Sequence, residues 1–252
     1  MIARFRGASF LLLGLFAWWS QAPPASKQAP GAKIWVDRYQ EIEEYLRTAE
    51  CVSMEIFGPN RAARCTLRPG GPVARMAWRS LPPGLYRGFW ESYKGEIAAY
   101  QVDRLLKMDM IPPTVERHVQ GTSGSAQLWV ENVLPVKADD SPGESNRIEW
   151  ENQTRQMSMF DNLIGNRGRN HGNMLRDASW HLVLIDHSRA FGPGPELPHK
   201  MSRIDEAFWT RIESLTRSQL DAAVGAWLDE KQIAAILDRR TSMRAEINRL
   251  PK

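Results

Sequence analysis

The sequence has little excess charge of either sign. Its 33 Lys and Arg residues face 29 Asp and Glu residues, which gives a formal net charge of +4 over 252 residues. Proteins that bind nucleic-acid phosphates carry a basic stripe or patch, and the arginines of this sequence do not cluster into such a stripe. We therefore expect no nucleic-acid partner. With 42% hydrophobic and 25% charged residues, the chain is typical of a globular protein with a sizeable core.

The apolar run Ala8–Trp19 is shorter than the roughly 20 residues that a membrane-spanning helix needs. Two arginines precede it and the small residues around Ser20–Ala22 follow it, an order typical of an export signal. Residues 1–22 are predicted to be a signal peptide or, because Pro23 would hinder cleavage, an uncleaved N-terminal anchor, which would be the protein's only contact with a membrane. A buried core helix is the alternative. A Pro/Ala-rich linker is predicted over 23–36.

Cysteine is scarce, and the two cysteines present are Cys51 and Cys65. Zinc sites need more ligands than two thiolates, and the 5 histidines are scattered along the chain. Export would place the protein in the periplasm or outside the cell, where such a pair can form a disulfide. A bridge over a loop of this size would stabilise the fold by about 3 kcal/mol. Two unpaired buried thiols remain the alternative.

The order of sequence patterns predicts an α+β fold with two lobes. Residues 37–137 form the predicted N-lobe, with a short helix after Asp37, several short alternating strands, and an amphipathic helix over 91–108. Two more strands follow that helix, joined by a predicted hairpin turn at Gly121–Gly124. Residues 138–252 form the predicted C-lobe, which is mainly helical, with a first helix that ends at Gly165, and contains one hairpin.

The predicted hairpin brings an amide and a carboxylate close together. If residues 174–176 pair with residues 183–185, the residues just outside the pair are Asn173 and Asp186. Cross-strand neighbours lie about 5 Å apart, and an amide and a carboxylate oxygen suit Mg²⁺ or Mn²⁺ holding phosphates. Asn and Asp also begin turns and cap helices, which is the alternative reading.

Four blocks resemble one enzyme superfamily. They occur in order, with plausible spacing, as "EIAAYQVDRLLKMDMIPPTVER", "AQLWVENV", "FDNLIGNRGRNHGNML" and "WHLVLIDHSRAF". Together they resemble the atypical kinase superfamily, which includes phosphatidylinositol 3/4-kinase-like, HipA-like and secreted Golgi casein kinase-like proteins. Within this superfamily the chain resembles exported or envelope-associated bacterial members. The resemblance covers about residues 44–250.

The resemblance implies a two-lobed kinase-like fold with an ATP site between the lobes. The backbone of Trp129, Val130 and Glu131 would form the hinge that binds adenine. Glu96 would pair with a cationic residue of a strand. Asn173 and Asp186 would hold Mg²⁺ or Mn²⁺, in agreement with the hairpin argument.

Two positions depart from the pattern of the superfamily. Its loop usually runs Asn-x-Asp-Arg-(His/Asn)-x-x-Asn, and the Asp accepts the proton of the phosphoryl acceptor. Gly168 stands at that Asp position, with Arg169 and Asn170 intact behind it. The strand lysine is replaced by Arg79, which keeps the positive charge but has a planar guanidinium.

Other residues are weak substitutes for the missing groups. His171 is a candidate base that nothing in the sequence fixes in place. Asp161 and His187 are more typical of groups that hold or pack a loop, and Lys94 lies on the wrong element to replace the strand lysine. The predicted nucleotide-covering hairpin has only Gly58, whereas a cradle of backbone N–H groups needs more glycine.

The sequence thus favours a kinase-like protein with an ATP and metal site and impaired catalysis. An active exported kinase that phosphorylates a protein or small-molecule hydroxyl is the first alternative. A non-catalytic interaction module of the cell envelope is the second.

Overall fold

A computed structural model describes residues 31–57 and 62–250. The predicted leader and the linker up to Pro30 lie outside these residues, as does Gly58. Within the described ranges, no helix combines the length and apolar character needed to cross a membrane. The secondary-structure elements, in chain order, are α1 (Tyr39–Thr48), β1 (Cys51–Ile56), β2 (Ala62–Leu67), β3 (Arg75–Arg79), β4 (Gly84–Tyr86), β5 (Phe89–Glu91), α2 (Tyr93–Leu106), β6 (Thr114–Val119), β7 (Thr122–Leu128), β8 (Leu134–Pro135), α3 (Glu144–Ile164), a 3₁₀ helix (His171–Asn173), β9 (Met174–Arg176), β10 (Leu182–Leu184), α4 (Glu206–Ser214), α5 (Arg217–Val224) and α6 (Glu230–Ile247).

The N-terminal lobe is built on an antiparallel five-stranded sheet in the order β1-β2-β3-β7-β6. Helix α1 packs against β6 and β7, and helix α2 lies beside the same two strands. Ile42 and Leu46, four residues apart on α1, are fully buried beside Trp35 and Met76. This spacing is the helical periodicity that the sequence shows, and the predicted helix and strands of this lobe are confirmed.

A disulfide joins Cys51 to Cys65, with a Cα–Cα distance of 5.8 Å. It links β1 to β2, the two strands at one edge of the sheet. The alternative of two unpaired thiols is therefore excluded.

One predicted turn is displaced. The sequence places the turn between β6 and β7 at Gly121–Gly124, but Val119 pairs directly with Thr122, so the turn residues are Gln120 and Gly121. Both have positive φ, 50° and 78°, as a two-residue hairpin turn requires. Gly124 serves another purpose, because a Cβ there would lie 2.5 Å from the Arg79 carbonyl oxygen. The absence of a side chain lets β7 lie close against β3.

The C-terminal lobe packs helices α3 to α6 around one apolar core. Phe160, Phe191, Phe208 and Ile236 are fully buried there. Helix α3 ends where the sequence predicts, at Gly165, whose left-handed conformation (φ 67°) is typical of a helix C-terminus. Strands β8, β9 and β10 form a small three-stranded sheet.

The predicted register of the β9–β10 hairpin is wrong by one residue. Met174 pairs with Leu184 rather than with Ile185. The cause is the loop, in which the Asp177 carboxylate accepts hydrogen bonds from the Ser179 and His181 N–H groups, both at 2.9 Å. The Asp177 N–H also donates to the His181 carbonyl, which closes the loop one residue early. Asn173 therefore lies opposite Ile185, and the Ile185 N–H donates to the Asn173 carbonyl at 3.2 Å.

Candidate functional site

A cavity of about 480 Å³ lies between β3, β7, the segment after β7, and the start of the β9–β10 hairpin. Its lining includes six residues that the sequence predicts for the site: Arg79, Glu96, Trp129, Val130, Asn173 and Asp186. Its size is in the ordinary range for a small-molecule site, about 300–1,000 Å³. Residues from both lobes thus meet around one volume.

Arg79 stands at the polar end of this cavity, between two carboxylates. Its Nη1 lies 2.6 Å from Asp186 Oδ1 and 3.2 Å from Glu96 Oε1. The same nitrogen donates to Ser188 Oγ at 3.0 Å, and that hydroxyl donates to Asp186 Oδ1 at 2.9 Å. One guanidinium therefore links strand β3, helix α2 and the segment after β10.

The carboxylates respond differently to this environment. Burial raises the pKa of Glu96 to about 7, because the attraction of Arg79 only partly offsets the loss of solvation. Burial also acts on Asp186, but the charge of Arg79 and the hydrogen bonds from Arg79 and Ser188 outweigh it, so the pKa of Asp186 lies below its usual value. Although burial disfavours the charged form of Arg79, both carboxylates raise its pKa and it remains a cation.

Helix α2 is fixed against the segment that carries Asp186. The Ser92 side chain caps the helix by accepting from the Lys94 N–H at 3.0 Å. Glu96 Oε2 accepts from the His187 N–H at 2.8 Å. A Cβ at Gly95 would lie 2.8 Å from the His187 carbonyl oxygen, so glycine permits this close contact. The helix thereby holds Glu96 at a fixed distance from Arg79.

Asn173 and Asp186 both line the cavity, but their surroundings do not fit a divalent cation as they stand. Asp186 Oδ1 already accepts from Arg79 and Ser188. The Asn173 amide donates to the Gly168 carbonyl at 2.9 Å. Across the described residues, no group of three or more His, Cys, Asp or Glu side chains is arranged to hold a metal. Asp186 is thus already paired with a cation of the chain, Arg79, and the metal pair stays a prediction.

The three residues of the predicted hinge differ in which groups they leave available to a ligand. The Trp129 N–H already donates to the Arg75 carbonyl at 3.2 Å. Glu131 points to solvent and forms an ion pair with Arg75. The Trp129 ring packs edge-on against Phe57, with 5.4 Å between the ring centroids, and both line the cavity. Val130 is buried and is the central residue of the predicted hinge.

In the loop after α3, Arg169 points into the protein rather than into the cavity. It donates to both oxygens of Asp161, at 2.8 and 2.9 Å, and to the carbonyls of Asn173 and Ile185, at 2.8 and 3.0 Å. Its Nη2 also lies 2.8 Å from His187 Nε2. Arg169 thus fixes the loop to the hairpin that carries Asn173 and Ile185.

The loop carries no carboxylate at the position where the superfamily has its base. The Gly168 N–H donates to Asn166 Oδ1 at 3.0 Å. Asn170 accepts from the Gly172 N–H at 2.8 Å and donates to the Gly168 carbonyl at 3.1 Å, so it shapes the backbone. His171 is exposed.

Two further residues weighed from the sequence, His187 and Lys94, are not among the residues that line this cavity. His187 is fully buried, and burial, together with the nearby charge of Arg169, lowers its pKa to about 3, so it is neutral. Lys94 lines a different cavity, beside Trp90 and Trp227.

Solved structures that share this arrangement of elements include kinases. The chain is similar to a Golgi casein kinase (TM-score 0.60, 14% identity, 83% of this chain and 74% of that one). It is also similar to Hydra Fam20 with sugar (TM-score 0.62, 16% identity, 88% and 95%) and to the Helicobacter pylori proinflammatory kinase CtkA (TM-score 0.52, 11% identity, 82% and 99%).

The chain has the atypical kinase fold. The two-lobed α+β architecture expected from the sequence is therefore confirmed. One Golgi casein kinase structure of this fold, with 15% identity and a TM-score of 0.58 over 83% of this chain and 75% of that one, has manganese and ADP bound. Neither a protein-family profile nor a curated protein matches the sequence.

In this kinase fold, sequence reasoning missed several residues of the site. Ala77 lies two residues from Arg79 on β3, and this alternation is a readable signal that both face the cavity. Ser125 and Gln127 follow the same rule on β7. Ser188, which holds both Arg79 and Asp186, has no comparable signal, because its position depends on the turn after β10.

Proposed function

We propose that the protein binds a nucleotide in the cavity between its lobes and transfers phosphate poorly or not at all. The observation that carries this proposal is the cavity itself, with an apolar part beside the hinge and an Arg79–Glu96–Asp186 cluster at the other end. Such a pairing of apolar and charged surfaces suits a planar base joined to phosphates.

The apolar part of the cavity would hold the base. Its lining is formed by Ala77, Leu128, Val133 and Leu175. The small Ala77 leaves room for a flat ring, and the Val130 backbone would supply the hydrogen bonds of the hinge. The division into an N-lobe over 37–137 and a C-lobe over 138–252 is part of this proposal.

Poor phosphate transfer is expected because the carboxylates near Gly168 are already paired with arginines. The nearby carboxylates have other partners: Asp161 binds Arg169, and Asp186 binds Arg79. A positioned general base contributes about 10²–10⁴-fold to a rate, although positioning and electrostatics carry most of phosphoryl transfer. We therefore propose a pseudokinase-like protein.

One observation favours the second candidate, an active atypical kinase. Asp161, Asn166 and Arg169 form a complete buried scaffold, since the Asn166 amide also donates to Asp161 Oδ1 at 2.8 Å. A loop held this rigidly is suited to positioning the hydroxyl group of a protein or small molecule that accepts the phosphate. The exposed His171 would then act as the base.

We further propose that the protein acts outside the cytoplasm, in the periplasm or in the medium. The Cys51–Cys65 disulfide supports this, because such bonds persist in oxidising compartments.

The proposal is tested by titrating the protein with ATP in a calorimeter. Wild type is expected to bind saturably, and Ala77→Phe is expected to abolish binding because the added ring would fill the apolar part of the cavity. Thr66→Phe, at an exposed position of the neighbouring strand β2 outside the cavity lining, is the matched control and should bind as wild type does. Absence of binding to wild type, or equal binding to Ala77→Phe, would contradict the proposal.

A further inference from the structure

Arg79 already neutralises Asp186, the carboxylate that a divalent cation at the predicted Asn173–Asp186 pair would bind. Its Nη1 lies within 3.2 Å of oxygens from Glu96, Asp186 and Ser188. Only 20% of the Arg79 side chain and 5% of the Glu96 side chain are exposed, so the contact is shielded from water. These three oxygens therefore already have a fixed cation, which belongs to the chain.

A guanidinium and a metal ion neutralise the same carboxylates in different ways. A divalent cation needs several oxygen ligands at short distances and keeps part of its water shell. A guanidinium needs neither, stays charged at any physiological pH, and has five N–H groups with which to bind phosphate oxygens. With Nη1 directed at the carboxylates, other N–H groups of Arg79 are left to meet a ligand in the cavity.

We propose that the site binds nucleotide phosphates without a divalent cation, because the Arg79 guanidinium supplies the positive charge there. This inference rests on the proposed nucleotide binding and goes beyond it by removing the metal. It also explains why the surroundings of Asn173 and Asp186 do not suit a divalent cation, since Asp186 holds the Arg79 guanidinium in place rather than a metal ion.

The probe is ADP, because it cannot donate a γ-phosphate during the measurement. Its affinity is measured by calorimetry for wild type, once with excess EDTA and once with excess Mn²⁺. The two dissociation constants are expected to agree within about threefold, a difference below 1 kcal/mol. Binding that requires Mn²⁺, with a loss of about tenfold or more in EDTA, would overturn the inference while leaving nucleotide binding intact. No binding in either condition would overturn the proposed function and this inference with it.

Substitution at Asp186 separates the two accounts by the direction of its effect. If Asp186 only restrains Arg79, Asp186→Asn frees the guanidinium and removes a negative charge near the phosphates, so ADP should bind as tightly as to wild type or more tightly. If Asp186 holds a metal, the same substitution should weaken binding in Mn²⁺ by about tenfold or more, the scale of one lost charged contact. Weaker binding of that size would overturn the inference.

Substitution of Arg79 tests the cation itself. Arg79→Met is expected to lose ADP affinity in EDTA by about tenfold or more, because one charged contact with the phosphates is lost. Because it leaves Glu96 and Asp186 without a cation, it is also expected to bind Mn²⁺ alone, read by the spin-resonance signal of free Mn²⁺, whereas wild type should not. Arg147→Met, at an exposed arginine of α3, is the matched control and should match wild type in both measurements. Mn²⁺ binding by wild type at the same affinity as by Arg79→Met would contradict the inference.

Discussion

At the scale of single residues, two positions depart from the pattern of the kinase superfamily, and each bears on a different step of the proposed function. Arg79 would fix the charge beside the phosphates, and Gly168 would leave the acceptor side without a base. A Cβ at Gly168 would lie 3.3 Å from Asn166 Oδ1 and 3.5 Å from the Arg189 Cβ, so a side chain fits after a small shift. The two departures can therefore be reversed separately and together.

The double variant Arg79→Lys/Gly168→Asp is expected to transfer phosphate faster than wild type and faster than either single variant. The aspartate would restore a base worth about 10²–10⁴-fold, and lysine, a compact point charge, would leave Asp186 available to a metal ion. The measurement is transfer of the γ-phosphate to water or to the protein, in the presence of Mn²⁺. Arg79→Lys/Gly168→Asn is the control without a base. Equal rates for the two double variants would show that the impairment lies elsewhere.

Arg169 is predicted to matter for stability more than for ligand binding. Only 5% of the Arg169 side chain and 1% of the Asp161 side chain are exposed. Removing one partner of a buried ion pair leaves the other charge uncompensated, which costs about 3–5 kcal/mol. Arg169→Met should lower the free energy of unfolding by that order, as measured in urea.

The matched control for this prediction is Arg147→Met. Arg147 makes ion pairs with Glu144 and Glu151 on the exposed face of α3, and such pairs contribute about 0–1 kcal/mol. A loss at Arg169 no larger than the loss at Arg147 would contradict the structural role given to Arg169.

At the scale of elements, the sequence predicts the helices well and the hairpins less well. Helices α1, α2 and α3 follow from apolar periodicity and from Gly165 at a C-terminus. The register of β9–β10 could not be read, because it depends on two hydrogen bonds to the Asp177 side chain. The short β4–β5 hairpin was missed, since its strands have only three residues each.

The end of helix α2 contains a group that makes stability depend on pH. Asp103 is fully buried, accepts from the Met110 and Ile111 N–H groups at 3.0 and 3.3 Å, and has its pKa raised by burial from 3.8 to about 7. Because the folded state holds this proton more tightly than the unfolded state, the contribution of Asp103 to stability is complete below pH 3.8 and is lost as the pH rises through about 7.

Asp103→Asn is therefore expected to flatten the fall in stability between about pH 4 and pH 7, because the amide does not titrate. The measurement is the midpoint of urea unfolding at a series of pH values, for wild type and variant. Parallel curves for the two proteins would contradict the raised pKa of Asp103.

At the scale of the whole molecule, the sequence predicts which elements meet at the cavity better than it predicts the side-chain contacts between them. Four blocks in order indicate the kinase fold, and the structure brings Arg79, Glu96 and Asp186 from three elements to one cavity. The contact between Arg79 and Asp186 could not be foreseen, because it depends on how closely helix α2 packs at Gly95 against His187, and strand β7 at Gly124 against β3. Fold similarity at 11–16% identity carries the architecture and leaves activity open.

Above all, we propose that the protein binds a nucleotide without turning it over. The most direct test is a calorimetric titration of the whole protein with ATP, in which phosphate release and phosphorylation of the protein are followed in the same sample. The account predicts saturable binding of one ATP with neither product formed above the background of the buffer. Sustained turnover that Asp186→Ala abolishes, or no binding at all, would contradict it.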